Sequence, residues 1–200
     1  MEFLTENIIK ESLEKAISYN EFRTLVTDLV QEGKSTGDTQ TEALSNYSML
    51  NDKRMKRLDK TIKLSEDVVE KATNFEGDVT WLVLTESWCG DAAQTMPVME
   101  KMAVLNKGID FKVVLRDENE ALMDQFLTNG GRSIPKLIMI DNNSNEVINT
   151  WGPRPSIATK MVQDYKEEYG ALTPEFKQDL QVWYNKDKGK NTAQDLKDLI

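Results

Sequence analysis

The sequence predicts an α/β fold: a mixed sheet of about four strands flanked by helices, with a helical extension before it and a helical tail after it. Three observations predict it. Up to about residue 75, apolar residues recur at helical spacing. From residue 79, segments of strand composition alternate with segments of helical period. The last two strand-like segments are joined by a short polar turn, which makes them a hairpin. Serial β-α-β order pairs strands in parallel and a hairpin pairs them antiparallel, so the sheet is mixed. The chain divides into an extension over residues 1–77 packed on the core, a core over 78–169 and a tail over 170–200.

In chain order, Phe22, Leu25, Val26, Leu29 and Val30 fall at i, i+3, i+4, i+7 and i+8, after Asn20 as a cap and before Gly33: an amphipathic helix. The polar link KSTGDTQ leads to a second helix from about Thr41 to Lys60, with Leu44, Tyr47, Met49 or Leu50, Met55, Leu58 and Ile62 on one stripe. A shorter helix follows Ser65 through Val68, Val69 and Ala72. VTWLVLTE has the β-branched and aromatic content of a strand, Asp91 to about Lys107 is helical, IDFKVVLRD is a strand and NEALMDQFL a helix. KLIMIDNNSNEVINTW reads as two strands around the turn DNNSN. A helix then carries Ile157, Met161, Val162 and Tyr165. In the tail, Thr173 caps a helix that starts at Pro174 and has Phe176, Leu180, Trp183 and Tyr184 as its apolar face.

Composition bounds the chemistry. The 200 residues are 39% apolar and 30% charged, as in soluble globular proteins, and no apolar run is long enough for a membrane span. MEFLTENIIKES has Glu2, Glu6 and Glu11 and no basic start, so a secretory signal is not expected and the chain is placed in the cytoplasm. One cysteine makes no internal disulfide, and a net charge of -9 argues against general nucleic-acid binding. The chain has no histidine. Ser-His-Asp and Cys-His catalysis and histidine-ligated metal sites are therefore excluded, and any catalysis must run through thiol, carboxylate, lysine or tyrosine. DNNSNEVINTWG begins like a calcium loop at Asp141, Asn143 and Asn145, but Glu146 stands where glycine is needed and Gly152 where a carboxylate is needed. No metal is expected. Asp117, Glu118 and Glu120 of RDENE are read as helix-capping or solvent-facing.

The single cysteine lies in WLVLTESWCGDAAQTMP. With Trp88, Cys89, Gly90 and Pro97, this segment resembles the strand, loop and helix of the thioredoxin superfamily, whose motif is WCxxC followed by a proline. GRSIPKLIMI resembles that family's RxIPT element, which implies that the Ile134–Pro135 bond is cis and faces the cysteine. The resemblance covers roughly residues 78–169, with both motifs in the family's order. The N-terminal helices, acidic character and lack of histidine resemble an uncharacterised bacterial thioredoxin-like subgroup with one cysteine at the active-site position. Three positions depart from the family: Ala92 replaces the second cysteine, Val83 the buried aspartate and Lys136 the threonine after the proline.

A thiol at the first turn of a helix meets the partial positive charge of unsatisfied N–H groups, which favours thiolate. Asp91 opposes that shift, and Arg132 or Lys136 beside the proline loop are the cations placed to offset it. The resemblance implies that Trp88, Gly90, Asp91, Arg132, Ile134 and Pro135 form the substrate-binding surface around Cys89, holding an extended peptide by strand addition. Without a second thiol at Ala92, a mixed disulfide at Cys89 waits for an external thiol such as glutathione, so dithiol reductase activity is not expected. Two function classes stay open. One is a monothiol thiol-disulfide oxidoreductase acting on protein or small thiols and disulfides. The other is a non-catalytic thioredoxin-fold binding module with Cys89 incidental. A third reading, iron-sulfur handling, rests on CGDA resembling the CGFS loop of monothiol glutaredoxins, with Asp91 in place of phenylalanine.

DKRMKRLDKTIK puts Lys53, Lys56, Arg57, Lys60 and Lys63 on one helix face, opposite Met55, Leu58 and Ile62. This stripe is either a solvated face balanced by acidic neighbours or a landing site for an acidic partner or an anionic small molecule.

Overall fold

The central strand explains the rest of the sheet. In the computed structural model, which describes residues 2–200, all seven residues of β2 (Val79–Thr85) are buried. β2 lies between β3 (Ile109–Leu115), parallel, and β4 (Lys136–Asp141), antiparallel, with Val83 opposite Val113 on one side and Leu137 on the other. A strand covered on both faces needs a continuous apolar run, and VTWLVLT supplies one. β5 (Val147–Trp151) completes the hairpin on β4. Asp141 shapes the turn by accepting the N–H groups of Asn143 (2.9 Å) and Ser144 (2.8 Å).

The described sheet has five strands, in the order β1-β3-β2-β4-β5, where the sequence suggests about four. β1 is Ile17–Ser18, two residues antiparallel to β3, too short to carry a period of its own. It follows α1 (Glu2–Lys15) and runs into α2 (Tyr19–Gln31). Ser18 is the cap of α2, two places before the expected Asn20. Its side chain accepts the Glu21 N–H at 3.2 Å while the Glu21 carboxylate accepts the Ser18 N–H at 2.7 Å, a reciprocal pair that Asn20 has no partner to form.

α3 (Glu42–Thr61) begins at Thr41, whose side chain accepts the Leu44 N–H. Its inward face is not the stripe of the sequence reading. Met55 and Leu58 are buried, but Tyr47 and Leu50 are 55% and 44% exposed, and Ser48 and Asn51 lie inside instead. That half of α3 meets a polar loop, described below, so polar residues face inward. α4 (Glu66–Thr73) follows, burying Val68 and Ala72. α5 (Gly90–Ala103) ends before the expected Lys107 because the Asn106 amide turns to the carbonyls of Ala72 (2.9 Å) and Phe75 (2.7 Å). A short 3₁₀ turn (Arg116–Glu118) and α6 (Glu120–Gln125) connect β3 to the loop before β4.

The C-terminal third packs in two different ways. α7 (Ser156–Tyr169) and α8 (Pro174–Asp187) bury Ala158, Val162, Phe176, Leu180 and Tyr184 in a small cluster of their own. α9 (Lys190–Lys197) instead adds Ala193 and Leu196 to the main core. Asp195 of α9 accepts the Ser156 N–H and Oγ–H at 2.7 Å each and the Trp151 indole N–H at 3.3 Å, fixing it to the β5–α7 corner. Among the described residues no helix is long and apolar enough to cross a membrane.

Leu196→Ala removes a fully buried side chain and should destabilise the protein by about 2–5 kcal/mol in urea unfolding. Tryptophan fluorescence and far-UV circular dichroism should lose signal together, because α9 belongs to the core it packs on.

Candidate functional site: the Trp88-Cys89 loop and its cover

β2 ends at Thr85, and Glu86, Ser87 and Trp88 lead to Cys89 at the N-cap of α5. Cys89 has extended backbone (φ -77°, ψ 111°), and its sulfur accepts the Ala92 N–H at 3.4 Å, as a serine cap would. The thiol donates to the carbonyl of Ile134 at 3.3 Å. The Ile134–Pro135 peptide bond is cis. Ile134, Pro135 and Ala92 are buried, and Cys89 is 8% exposed.

Burial pushes the Cys89 thiol up to about 12, and the Asp91 charge adds to the rise. The Ala92 and Asp91 N–H groups and Arg154 pull the other way and do not win. The sequence sets a helix start favouring thiolate against Asp91 and leaves the balance open; burial, which the sequence does not show, outweighs both. A helix terminus contributes about 0.3–1 kcal/mol, whereas removing an ionisable group from water shifts it by as much as about 3–5 pH units, several times more.

Asp91 is the hub of the surrounding contacts. One carboxylate oxygen pairs with Arg154 at 2.8 Å, and the other accepts the Tyr184 hydroxyl at 2.9 Å. Burial raises the Asp91 carboxyl despite these partners, and Tyr184 is raised by its own burial and by the Asp91 charge. One turn along, Gln181 of α8 accepts the Gln94 amide at 3.0 Å. α8 thus lies across the start of α5.

The cation beside Asp91 is Arg154, not the residues the sequence pointed to. Arg132 is exposed and grips Asp124 through two hydrogen bonds (2.7 and 2.8 Å), with Glu120 at 3.2 Å. Lys136 is buried with its amine on the Thr128 hydroxyl, and burial lowers its pKa. Arg154 follows the hairpin, far from Asp91 in sequence, and no local pattern joins them. Trp88 is half-buried, with the Arg116 guanidinium 4.9 Å from its ring centroid.

A second network lies beneath the loop. The Thr36 N–H donates to Ser87 Oγ (2.9 Å), the Ser87 N–H donates to Thr36 Oγ1 (2.8 Å), and the Thr36 hydroxyl donates to Glu86. Glu86 also accepts the Asp117 N–H at 2.9 Å, and burial raises its carboxyl. From α3, Ser48 shares a hydrogen bond with Ser87 (2.6 Å) and Asn51 donates to the Ser87 carbonyl (2.9 Å). Ser35 and Thr36 are therefore a buried clasp on the cysteine loop, while Lys34, Asp38, Thr39 and Gln40 of the same polar link stay exposed. The Glu-Ser pair directly before Trp-Cys is the one sequence signal that marks it.

A cavity of about 480 Å³ opens beside the proline loop, lined among others by Thr128, Ser133, Arg154, Gln163 and Lys166.

The family profile described as Thioredoxin matches residues 37–166. Two solved structures are similar in fold over most of their lengths. One is a crystal structure of a protein of unknown function from Pseudomonas aeruginosa, 16% identical, covering 92% of this chain and 96% of its own, with a TM-score of 0.60. The other is a crystal structure of an HIV epitope scaffold, 15% identical, covering 92% and 97%, with a TM-score of 0.58. No curated protein matches. The matched segment takes in α3, the cysteine loop, the cis-proline loop and most of α7, and it stops short of the covering helix α8: the chain belongs to the thioredoxin family.

Proposed function

We propose that the protein is a redox-silent member of this family, a binding module in which Cys89 bridges the α5 start to the proline loop and does not act as a nucleophile. The observation that carries this reading is the Cys89 thiol, buried and donating to the Ile134 carbonyl; that burial pushes its pKa up to about 12. Against an ordinary value of about 9, that leaves roughly a thousandth of the usual thiolate at neutral pH. The cavity beside the proline loop, with Arg154, Lys166, Thr128 and Ser133 on its walls, supplies a polar pocket for recognition that needs no thiol.

One observation favours a second reading, monothiol exchange. α8 meets the start of α5 through two hydrogen bonds and packs in a small apolar cluster separate from the main core, so its middle can move off the loop without unfolding the sheet. With α8 lifted, the Cys89 thiolate would attack a disulfide, form a mixed disulfide and release one thiolate. An external thiol such as glutathione would then reduce Cys89 and leave in the product disulfide.

The two readings separate on the native thiol. Cys89 should react with Ellman's reagent at least about a hundredfold more slowly than free cysteine at pH 7, and fully in denaturant. Rapid native labelling, or a glutathione adduct formed within minutes of adding oxidised glutathione, would establish exchange instead. Leu180→Ala should loosen α8 and speed native labelling about tenfold or more. Asp91→Asn should lower the Cys89 pKa by about a unit, read from thiolate absorbance, because a negative neighbour is removed.

The raised thiol pKa also has a stability consequence. Between about pH 9 and 12 the unfolded chain releases the thiol proton while the folded chain keeps it, so this contribution is intact below pH 9 and is lost as pH rises. Urea midpoints measured across that range should fall less steeply in Cys89→Ala than in the parent.

A further inference from the structure

The basic face of α3 can now be judged by where the acids go. Lys53, Lys56, Arg57, Lys60 and Lys63 are all exposed. Among the described residues, none of them forms an ion pair, in a chain of net charge -9. Two of the three acids on α3 are engaged elsewhere: Asp52 and Asp59 hold Arg23 of α2 at 3.0 and 3.3 Å, and Asp59 also accepts the Tyr19 hydroxyl, while Glu42 lies at the far end of the helix. The face is solvent-exposed and, among the described residues, has no direct ion-pair partner.

Arg57 leads from this face into a cleft of about 280 Å³ between α3 and α8. Its guanidinium donates to the Asn185 side-chain carbonyl at 2.8 Å, closing one end. Lys188 lines the opposite helix, Leu58 and Ile62 give an apolar floor, and no acidic residue lines the cleft. Lys188 is held at φ +58°, in the left-handed region where a side chain is strained, at the C-cap of α8. Lys53 and Lys60 flank Arg57 at i-4 and i+3, and Arg54 lies at i-3. Burial and the Arg57 charge lower the pKa of Arg54, as expected where positive charge is in excess.

We propose that the α3–α8 cleft binds a small molecule bearing a phosphate or polyphosphate group, with Arg57 and Lys188 on its oxygens and its carbon skeleton on Leu58 and Ile62. A planar guanidinium pairs with two oxygens at once, and the adjoining unpaired lysines favour an anion of more than one charge. A half-open cleft with an apolar floor suits a small ligand better than a flat protein surface. Tyr184 lines this cleft and also bonds Asp91, so an occupant would touch the helix that covers Cys89. The proposal does not depend on whether Cys89 is reactive.

Pyrophosphate titrated into the full-length protein by calorimetry tests it. Saturable one-to-one binding is expected, with Kd at or below about 1 mM, weakening as salt rises from about 0.05 to 0.25 M. Arg57→Gln with Lys188→Gln should weaken it about tenfold or more, whereas the charge-matched control Lys71→Gln with Lys107→Gln should change it less than about twofold. Unchanged thermal melting would show that both variants fold. Absence of saturable heat up to about 5 mM, or equal weakening in the control, would overturn the proposal. So would binding of polyglutamate without binding of pyrophosphate, which would make the face a docking surface for an acidic protein.

Discussion

The sulfur of Cys89 sits between two backbone groups, and the behaviour of the whole loop follows from that placement. It accepts from Ala92 and donates to Ile134, so both of its hydrogen-bonding capacities are used. The second bond exists only while the thiol keeps its proton. Ionisation would lose it, set a negative sulfur against a carbonyl oxygen and bring it close to the Asp91 charge. Desolvation, lost hydrogen bonding and repulsion all act in one direction, against the weak field of the helix end. A group in that position stabilises the loop as long as it is neutral.

Polar residues collect at the end of the sheet where β2 and β3 run out, while β2 itself is buried along its whole length. Above the loop, Asp91, Arg154 and Tyr184 form a buried set. Below it, Glu86, Ser87, Thr36, Ser48 and Asn51 form another. Buried groups of this kind cost free energy unless each has a partner, and breaking one member exposes the others. The two sets specify how the extension, the cysteine loop and α8 fit together more than they add to stability.

The sequence made the order of elements along the chain and the two family motifs legible, because strand composition, helical period and the WC and IP segments are local properties. What it hid was set by contacts between distant residues. β1 is a two-residue strand that exists only because β3 offers it an edge. Tyr47 and Leu50 fit an apolar stripe, yet the loop that α3 meets is polar, so Ser48 and Asn51 turn inward. The Arg154 partner of Asp91 and the Tyr184 cover lie 63 and 93 residues away from it, beyond the reach of spacing arguments. The local signal at Cys89 describes a helix start correctly and says nothing about the helix that crosses it.

α8 is fastened at both ends. At its start Thr173 shares a hydrogen bond with Tyr165, and at its end Gly189 presses so closely on α5 that a Cβ there would lie 2.6 Å from a Val98 methyl, with α9 anchored beyond it. Between those points the Gln94–Gln181 and Asp91–Tyr184 hydrogen bonds hold its middle to α5, and breaking both would let it bow and open a slit over the loop without clearing the face. The width of that slit then acts as a sieve: slender reagents would slip through to the sulfur, while the bulk of a folded protein would be held outside.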